Sequence, residues 1–367
     1  MSSEEIGNRI LRLNFNQPNE RNINTLLSVG TTKGFRVIRL EDAKINFRCD
    51  SETALHFPGG ISTLIQMFES QLFCISGSSI NSCYPPNIVY FWDAKDGEIK
   101  TEARFRSEVK NILLRKDHCI IVLKKITYVY LLNSLRPIAS IPTCDNEKGV
   151  AASSYDKDKF ILATLDMNPG YIKITNFETR ETKQALIHEN PVVHLSLDYS
   201  GTYGASASEQ GTIIRVFDCN TLEILHELRR GTNPALISSI TFSPENKYLI
   251  ATSNRFTIHL WRLENPQSSS VTGMFSKYLP TYFQYERSTS KLTLNPDITW
   301  TCPLSISVGP AACFVNNDEF CVANLDGNLY KCKINEADLS MKVYEVKPFL
   351  DFNESIVEGD REWSSFE

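Results

Sequence analysis

The sequence of 367 residues predicts one all-β domain spanning 1–367, a seven-bladed β-propeller. Three observations predict it. Short apolar segments, often led by glycine and followed by a turn, recur mostly about 40 to 50 residues apart, the period of a four-stranded blade. Alternation of apolar and polar residues outweighs any helical period over nearly the whole chain. Between the recurring segments, stretches such as "HLSLDYSGTYGASAS" and "SITFSPENKYLIATS" read as strand, polar turn, strand.

Taken in order, the recurring segments are "GFRVIRLED" from Gly34, "NIVYFWDAKDGE" from Asn87, "ITYVYLLNSLRP" from Ile126 and "GYIKITNFETRE" from Gly170. They continue with "GTIIRVFDCNTLE" from Gly211, "FTIHLWRLE" from Phe256 and "GNLYKCKIN" from Gly327. A large β-sandwich would not produce seven similar units. The strand around Ile10 to Phe15 is expected to complete the last blade and so close the ring. The interval from Phe256 to Gly327, about 70 residues, exceeds the blade period by roughly 25 to 30. This excess is read as a long loop, 264–297, inserted in blade 6. It starts polar and then carries Met274, Phe275, Tyr278, Leu279, Tyr282 and Phe283, with Lys277 among them. These side chains either pack back onto the blade edge or enter a bilayer interface. Removal of Ser268 to Lys291 is expected to leave the fold intact, because the segment interrupts no blade repeat.

Hydrophobic residues make up 42% and charged residues 22%, the profile of a soluble globular protein. A net charge of -5 argues against a general nucleic-acid binder, though not against a local basic patch. The opening Met1-Ser2-Ser3-Glu4-Glu5 lacks the basic and apolar regions of a signal peptide, and the apolar runs are strand-sized. Ten cysteines are scattered with no C-x-x-C pair, which reads as buried reduced thiols in a cytoplasmic protein. No nucleophile elbow, zinc helix or phosphate-binding glycine loop occurs. The expectation is a non-enzyme without cofactor or metal, monomeric in solution.

The chemistry that remains gathers around "ELRRGTN", residues 227 to 233. Adjacent residues on a strand point to opposite sides, so Arg229 and Arg230 cannot easily share one anion. If the pair ends the blade that begins near His188, Arg229 faces back toward that blade. Arg230 then faces the blade containing His259. The preceding strands supply Ser206, Ser208, Thr212 and Arg215; the following blade supplies Ser253, Asn254, Arg255, Thr257 and His259. Hydroxyls are compact donors, and the guanidinium fork matches phosphate oxygens and stays charged. The bland alternative also stands here: the arginines are solvated or paired with Glu223 and Glu227, and His188 braces a turn.

At this point the residues resemble a known family. "ELRRGTN" within a seven-bladed repeat is similar to the [F/L]-R-R-G signature of the PROPPINs, WD-repeat-like propellers that bind polyphosphoinositides and include the WIPI proteins of animals. "SASEQGTIIRVFD" resembles the family's blade before the motif, and "ISSITFSPENKYLIATSNRFTIHLW" the blade after it. Pro85, Pro86 and Asn87, followed by Trp92 and Asp93, resemble the branch of the later-numbered animal WIPIs and their fungal counterparts. Another branch has a basic residue where Asn87 stands.

The resemblance implies recognition of phosphatidylinositol 3-phosphate and phosphatidylinositol 3,5-bisphosphate by a cytoplasmic protein, peripheral on preautophagosomal, endosomal and vacuolar membranes. It implies a role in autophagy, selective or nuclear autophagy included. One head-group site takes His188, Ser206, Ser208, Thr212, Arg215 and Arg229. The other takes Arg230, Ser253, Asn254, Arg255, Thr257 and His259. Asn254 and Arg255 stand where relatives often have aspartate or asparagine and then lysine, so the charge at 255 is kept. The long loop resembles a membrane-inserting loop, with Met274, Phe275, Leu279, Tyr282 and Phe283 as its inserting residues. A face on blades 2 and 3 is where relatives engage autophagy machinery, including a lipid-transfer protein.

Overall fold

A computed structural model describes residues 9–49, 59–263, 286–294 and 309–350. Their regular elements are all β-strands, arranged as seven sheets. Blades 1 to 7 span residues 10–49, 59–104, 109–142, 151–186, 192–229, 237–293 and 311–348, each with four antiparallel strands in chain order. The seven recurring segments are the third strands of the seven blades. Those strands run Gly34–Arg39, Ile88–Asp93, Ile126–Leu131, Tyr171–Asn176, Ile213–Asp218, Thr257–Arg262 and Asn328–Ile334.

Glycine leads several of these strands for a steric reason. Gly170 and Gly211 have φ of 84° and 56°, and a Cβ there would fall 2.0 Å from the His188 carbonyl oxygen and 1.9 Å from that of Ala235. Both carbonyls belong to the connector leading to the next blade. Only a residue without a side chain lets that connector cross.

The apolar core is divided among the seams between blades. Successive side chains of a strand face opposite sides, so each central strand feeds two seams. In Ile88–Asp93, Ile88, Tyr90 and Trp92 pack with Phe35 and Phe73 between blades 1 and 2. Val89 and Phe91 pack with Ile112 and Ile121 between blades 2 and 3. Burial of each such large side chain contributes about 1.5 to 3 kcal/mol. The Pro-Pro-Asn stretch serves this blade structurally: Pro86 O accepts from Val109 N at 2.8 Å, and Asn87 Nδ2 donates to Phe105 O at 2.9 Å.

Three expectations are corrected. The strand Ile10–Phe15 belongs to blade 1, where Leu13 pairs with Val29. Blade 7 has its own fourth strand, Met341–Pro348, in the place the first strand was expected to fill. The ring closes instead through an apolar seam that joins Ile10, Leu13 and Val29 to Cys313, Leu329 and Leu350. Next, the segment 264–297 is not loop throughout. Ser290–Thr293 is the fourth strand of blade 6, with Lys291 opposite His259, and Glu286–Arg287 adds a parallel fifth strand to blade 5. Alternating "SKLT" offers an apolar face to the seam, which outweighs the polar residues before it. Finally, the described cysteines are free and mostly buried, but Cys83 is exposed and Cys144 only half-buried. Among the described residues no helix is long and apolar enough to cross a membrane.

Candidate functional site

Strand alternation sets up two polar seams on either side of blade 5. In Ile213–Asp218, Ile214 and Val216 enter the core between blades 5 and 6, so Arg215 faces blade 4. In Ile224–Arg229, Leu228 enters that same core, so Glu227 and Arg229 face with Arg215. Arg230, one residue on, turns the other way.

In the seam between blades 4 and 5, His188 Nε2 lies 2.9 Å from the hydroxyl of Ser206, and both residues are buried. Arg215 Nη1 donates to Ile187 O at 2.7 Å and approaches His188 Nδ1 at 3.4 Å. Its Nε and Nη2 reach Glu227 Oε1 at 2.7 and 2.6 Å. Glu227 therefore pairs with Arg215. Arg229 stands opposite Ile213 and, on its outer side, beside Arg287 of the added strand. Ser208 and Thr212 flank the turn between the second and third strands; Thr212 O accepts from Arg230 N at 2.9 Å.

The seam between blades 5 and 6 is built differently. Arg230 is buried, its Nε donating to Gly211 O at 2.6 Å and its Nη2 to Asn233 O. Burial and then the charge of Arg255 hold its pKa below the ordinary arginine value. Ser253 and Thr257 share a hydroxyl contact of 2.9 Å. His259 stacks on Trp261, its Nδ1 lies 3.3 Å from Ser288 Oγ, and its Nε2 is buried without a partner among the described residues. Asn254 is turned to other work: its Oδ1 accepts from Leu236 N at 3.0 Å. Arg255 and Lys291 are exposed, and no ion pair to Arg230, Arg255 or Lys291 occurs among the described residues. A Cβ at Gly231 would meet nothing within 4 Å, which leaves open space beside the two arginines.

Sequence reasoning missed Lys291 and Ser288, because both lay in a stretch read as loop. The alternation of 290–293 was the available signal. It also missed the Arg215–Glu227 pair, which depends on cross-strand register. Met274, Phe275, Leu279, Tyr282 and Phe283 lie outside the described residues. Past Leu263 of blade 6, Glu286 lies against blade 5, its carboxylate 2.9 Å from His226 Nδ1, and the chain rejoins blade 6 at Ser290. Among the described residues no cluster of three or more His, Cys, Asp or Glu side chains could hold a metal ion.

Both seam histidines are neutral at pH 7. Burial, then the charge of Arg215, pushes His188 down to about 4, against a supporting hydrogen bond from Ser206. Burial, then Arg230 and Lys291, pushes His259 down to about 4. Unfolded histidine titrates near 6.5. The unfolded chain therefore binds more protons between these values, and the stability gained from both neutral rings is full above pH 6.5 and lost as pH falls toward 4. The expected loss is on the order of 3 kcal/mol for each ring at the acid end. Melting curves at pH 7.5, 5.5 and 4.5 should fall less steeply for His188→Asn/His259→Asn than for the wild type. Equal slopes would contradict this assignment.

Comparison with known proteins gives three findings. The family model described as PROPPIN matches residues 15–287. Autophagy-related protein 18e of Arabidopsis thaliana is 30% identical over 337 residues, 89% of this chain and 86% of the relative. Among solved structures, Hsv2 of Kluyveromyces marxianus superposes with a TM-score of 0.72 at 16% identity, covering 94% of this chain and all (100%) of that one. KlAtg21, solved in complex with the coiled-coil of AgAtg16, superposes at 0.70 and 17% identity over 93% of this chain and 99% of the other.

Proposed function

The chain belongs to the PROPPIN family, and from that premise we propose that it is a phosphoinositide-dependent peripheral membrane adaptor acting in autophagy. The observation that carries the reading is the pair of polar seams divided by Arg229 and Arg230. Beside blade 6, Arg230 and Lys291 act on His259, whose Nε2 has no partner among the described residues, and Arg255 adds a third cation close to Arg230. Beside blade 4, Arg215 and Arg229 stand with His188, Ser206, Ser208 and Thr212, and Glu227 offsets one of the charges.

The ligands are phosphatidylinositol 3-phosphate and phosphatidylinositol 3,5-bisphosphate. Guanidinium groups bind the phosphate oxygens, while hydroxyls and neutral imidazoles hydrogen-bond to the inositol and its phosphates. Each seam binds one head group weakly. Once one is held, the second binds as if intramolecular, so two weak sites retain a protein at a surface. The local cations draw the anionic membrane closer despite the net charge of -5. Met274, Phe275, Leu279, Tyr282 and Phe283 enter the bilayer interface, on a segment whose ends are fixed next to both seams. Membranes of the preautophagosomal, endosomal and vacuolar compartments carry these lipids, and blades 2 and 3 dock protein partners, a lipid-transfer protein among them. The KlAtg21 complex supports a protein-binding role alongside the lipid-binding one.

Liposome flotation with and without phosphatidylinositol 3-phosphate tests the proposal. Flotation should require the lipid, and the lipid should be recovered chemically unchanged. Equal flotation on both liposomes, or none on either, would favour a propeller scaffold that binds proteins only.

A further inference from the structure

A cavity of about 270 Å³ lies on the propeller axis, where the first strands of the blades converge. Its polar lining comes from Arg12 and Asn14 of blade 1, Asn111 of blade 3, Lys148 of the connector to blade 4, His194 of blade 5, and Ser238 and Ser239 of blade 6. No carboxylate lines it among the described residues.

Arg12 has a neutral partner. Its Nη2 donates to Asn111 Oδ1 at 2.7 Å, while its Nε is buried without a partner among the described residues. Asn111 is fixed in turn, its Nδ2 donating to Gly149 O at 3.0 Å and its Oδ1 also accepting from Ile112 N at 2.9 Å. Gly149 has φ of 67°, and a Cβ there would come 2.9 Å from that of Asn111, so this close approach needs glycine. His194 Nδ1 is likewise buried without a partner among the described residues. Ser238 Oγ is committed to Pro310 O at 2.7 Å. Lys148, at the mouth, is exposed, with Glu147 and Glu209 among the groups acting on it. A half-buried guanidinium keeps its charge, and holding it away from water without an anion is costly.

We propose that this axial cavity binds a small, multiply charged oxyanion of the phosphate or pyrophosphate class, held by Arg12, His194 and Lys148. The site is separate from the two seams of blade 5 and stands whether or not those seams bind lipid. The cavity is smaller than the usual drug-sized pocket and suits a compact soluble anion. Arg12 and His194 line it, and Lys148 supplies charge at the entrance.

Calorimetric titration of the full chain with inorganic pyrophosphate at low salt tests this. Binding should persist in Arg229→Thr/Arg255→Thr, which weakens both seams, and fall about tenfold or more in Arg12→Met. Lys148→Met, at an exposed position, should weaken it severalfold and decides the matter if Arg12→Met does not fold. Absence of binding, equal binding in both axial variants, or its loss in the seam variant would overturn the proposal. Lys148→Met should still float with liposomes. Lost flotation with unchanged pyrophosphate binding would assign the cavity to lipid head groups and overturn it as well.

Discussion

Arg229→Thr/Arg230→Thr should fold yet fail to float with liposomes containing phosphatidylinositol 3-phosphate. Loss of one charge-assisted phosphate contact costs about 1.5 to 3 kcal/mol, roughly tenfold to over a hundredfold for a site. With both seams weakened the multivalent gain disappears too. Titration with a soluble head group should give a stoichiometry of about two for wild type, about one for each single variant and none for the double. The single variants should differ in two further respects. Arg230→Thr leaves the carbonyls of Gly211 and Asn233 without their donor, so it should also lose about 1 to 3 kcal/mol of stability. Arg229 is only half-buried, so Arg229→Thr should melt closer to wild type. Salt should weaken the seam next to blade 6 more, because among the described residues no acid pairs with Arg230, Arg255 or Lys291, whereas Glu227 already screens Arg215. A single variant that keeps the wild-type stoichiometry would overturn the two-seam account.

Replacing residues 268–285 with a Gly/Ser linker of equal length should leave the melting temperature unchanged and sharply reduce liposome binding. Full burial of one large apolar side chain at the interface contributes roughly 1.5 to 3 kcal/mol, so losing even two should weaken binding over a hundredfold. Deletion through Lys291 should act differently. It removes Ser290 and Lys291 from the outer strand of blade 6, together with the Ser288 hydroxyl beside His259. That variant should melt earlier and lose part of the cationic seam. Undiminished liposome binding by the linker variant would sink the insertion role of Met274, Phe275, Leu279, Tyr282 and Phe283.

The blade count was legible because the third strands share a turn-marked start and an alternating pattern, as in Ile126–Leu131 and Tyr171–Asn176, although the second strand is the more buried in most blades. Turn glycines such as Gly170 and Gly211 marked where those strands begin, for a steric reason visible in the contacts. The division of Arg229 from Arg230 was legible from parity alone. Other features depend on register and partner choice, which a linear pattern does not encode. Whether the first strand pairs with blade 7 turns on whether blade 7 already owns four strands, and the weakly apolar "MKVYEVKP" hid its fourth. Arg230 was read as a head-group ligand or a solvated or paired charge, yet its guanidinium serves two backbone carbonyls. Only the approach of the Gly211 and Asn233 backbones reveals that. Lys291 was lost because the polar run before it masked a short edge strand.

The seam between blades 1 and 7 has a mechanical meaning. Many rings of this kind are latched by a strand from one end of the chain woven into the sheet of the other. Here blade 1 and blade 7 are each finished from contiguous residues, and they meet through side chains such as Leu13, Leu329 and Leu350, with Lys331 reaching the Glu41 carbonyl. A chain emerging from the N-terminal end can thus complete its blades one after another, with only local pairing needed for each. Joining the last blade to the first becomes a docking of two finished surfaces, and the same boundary is where the ring can part without any sheet being torn.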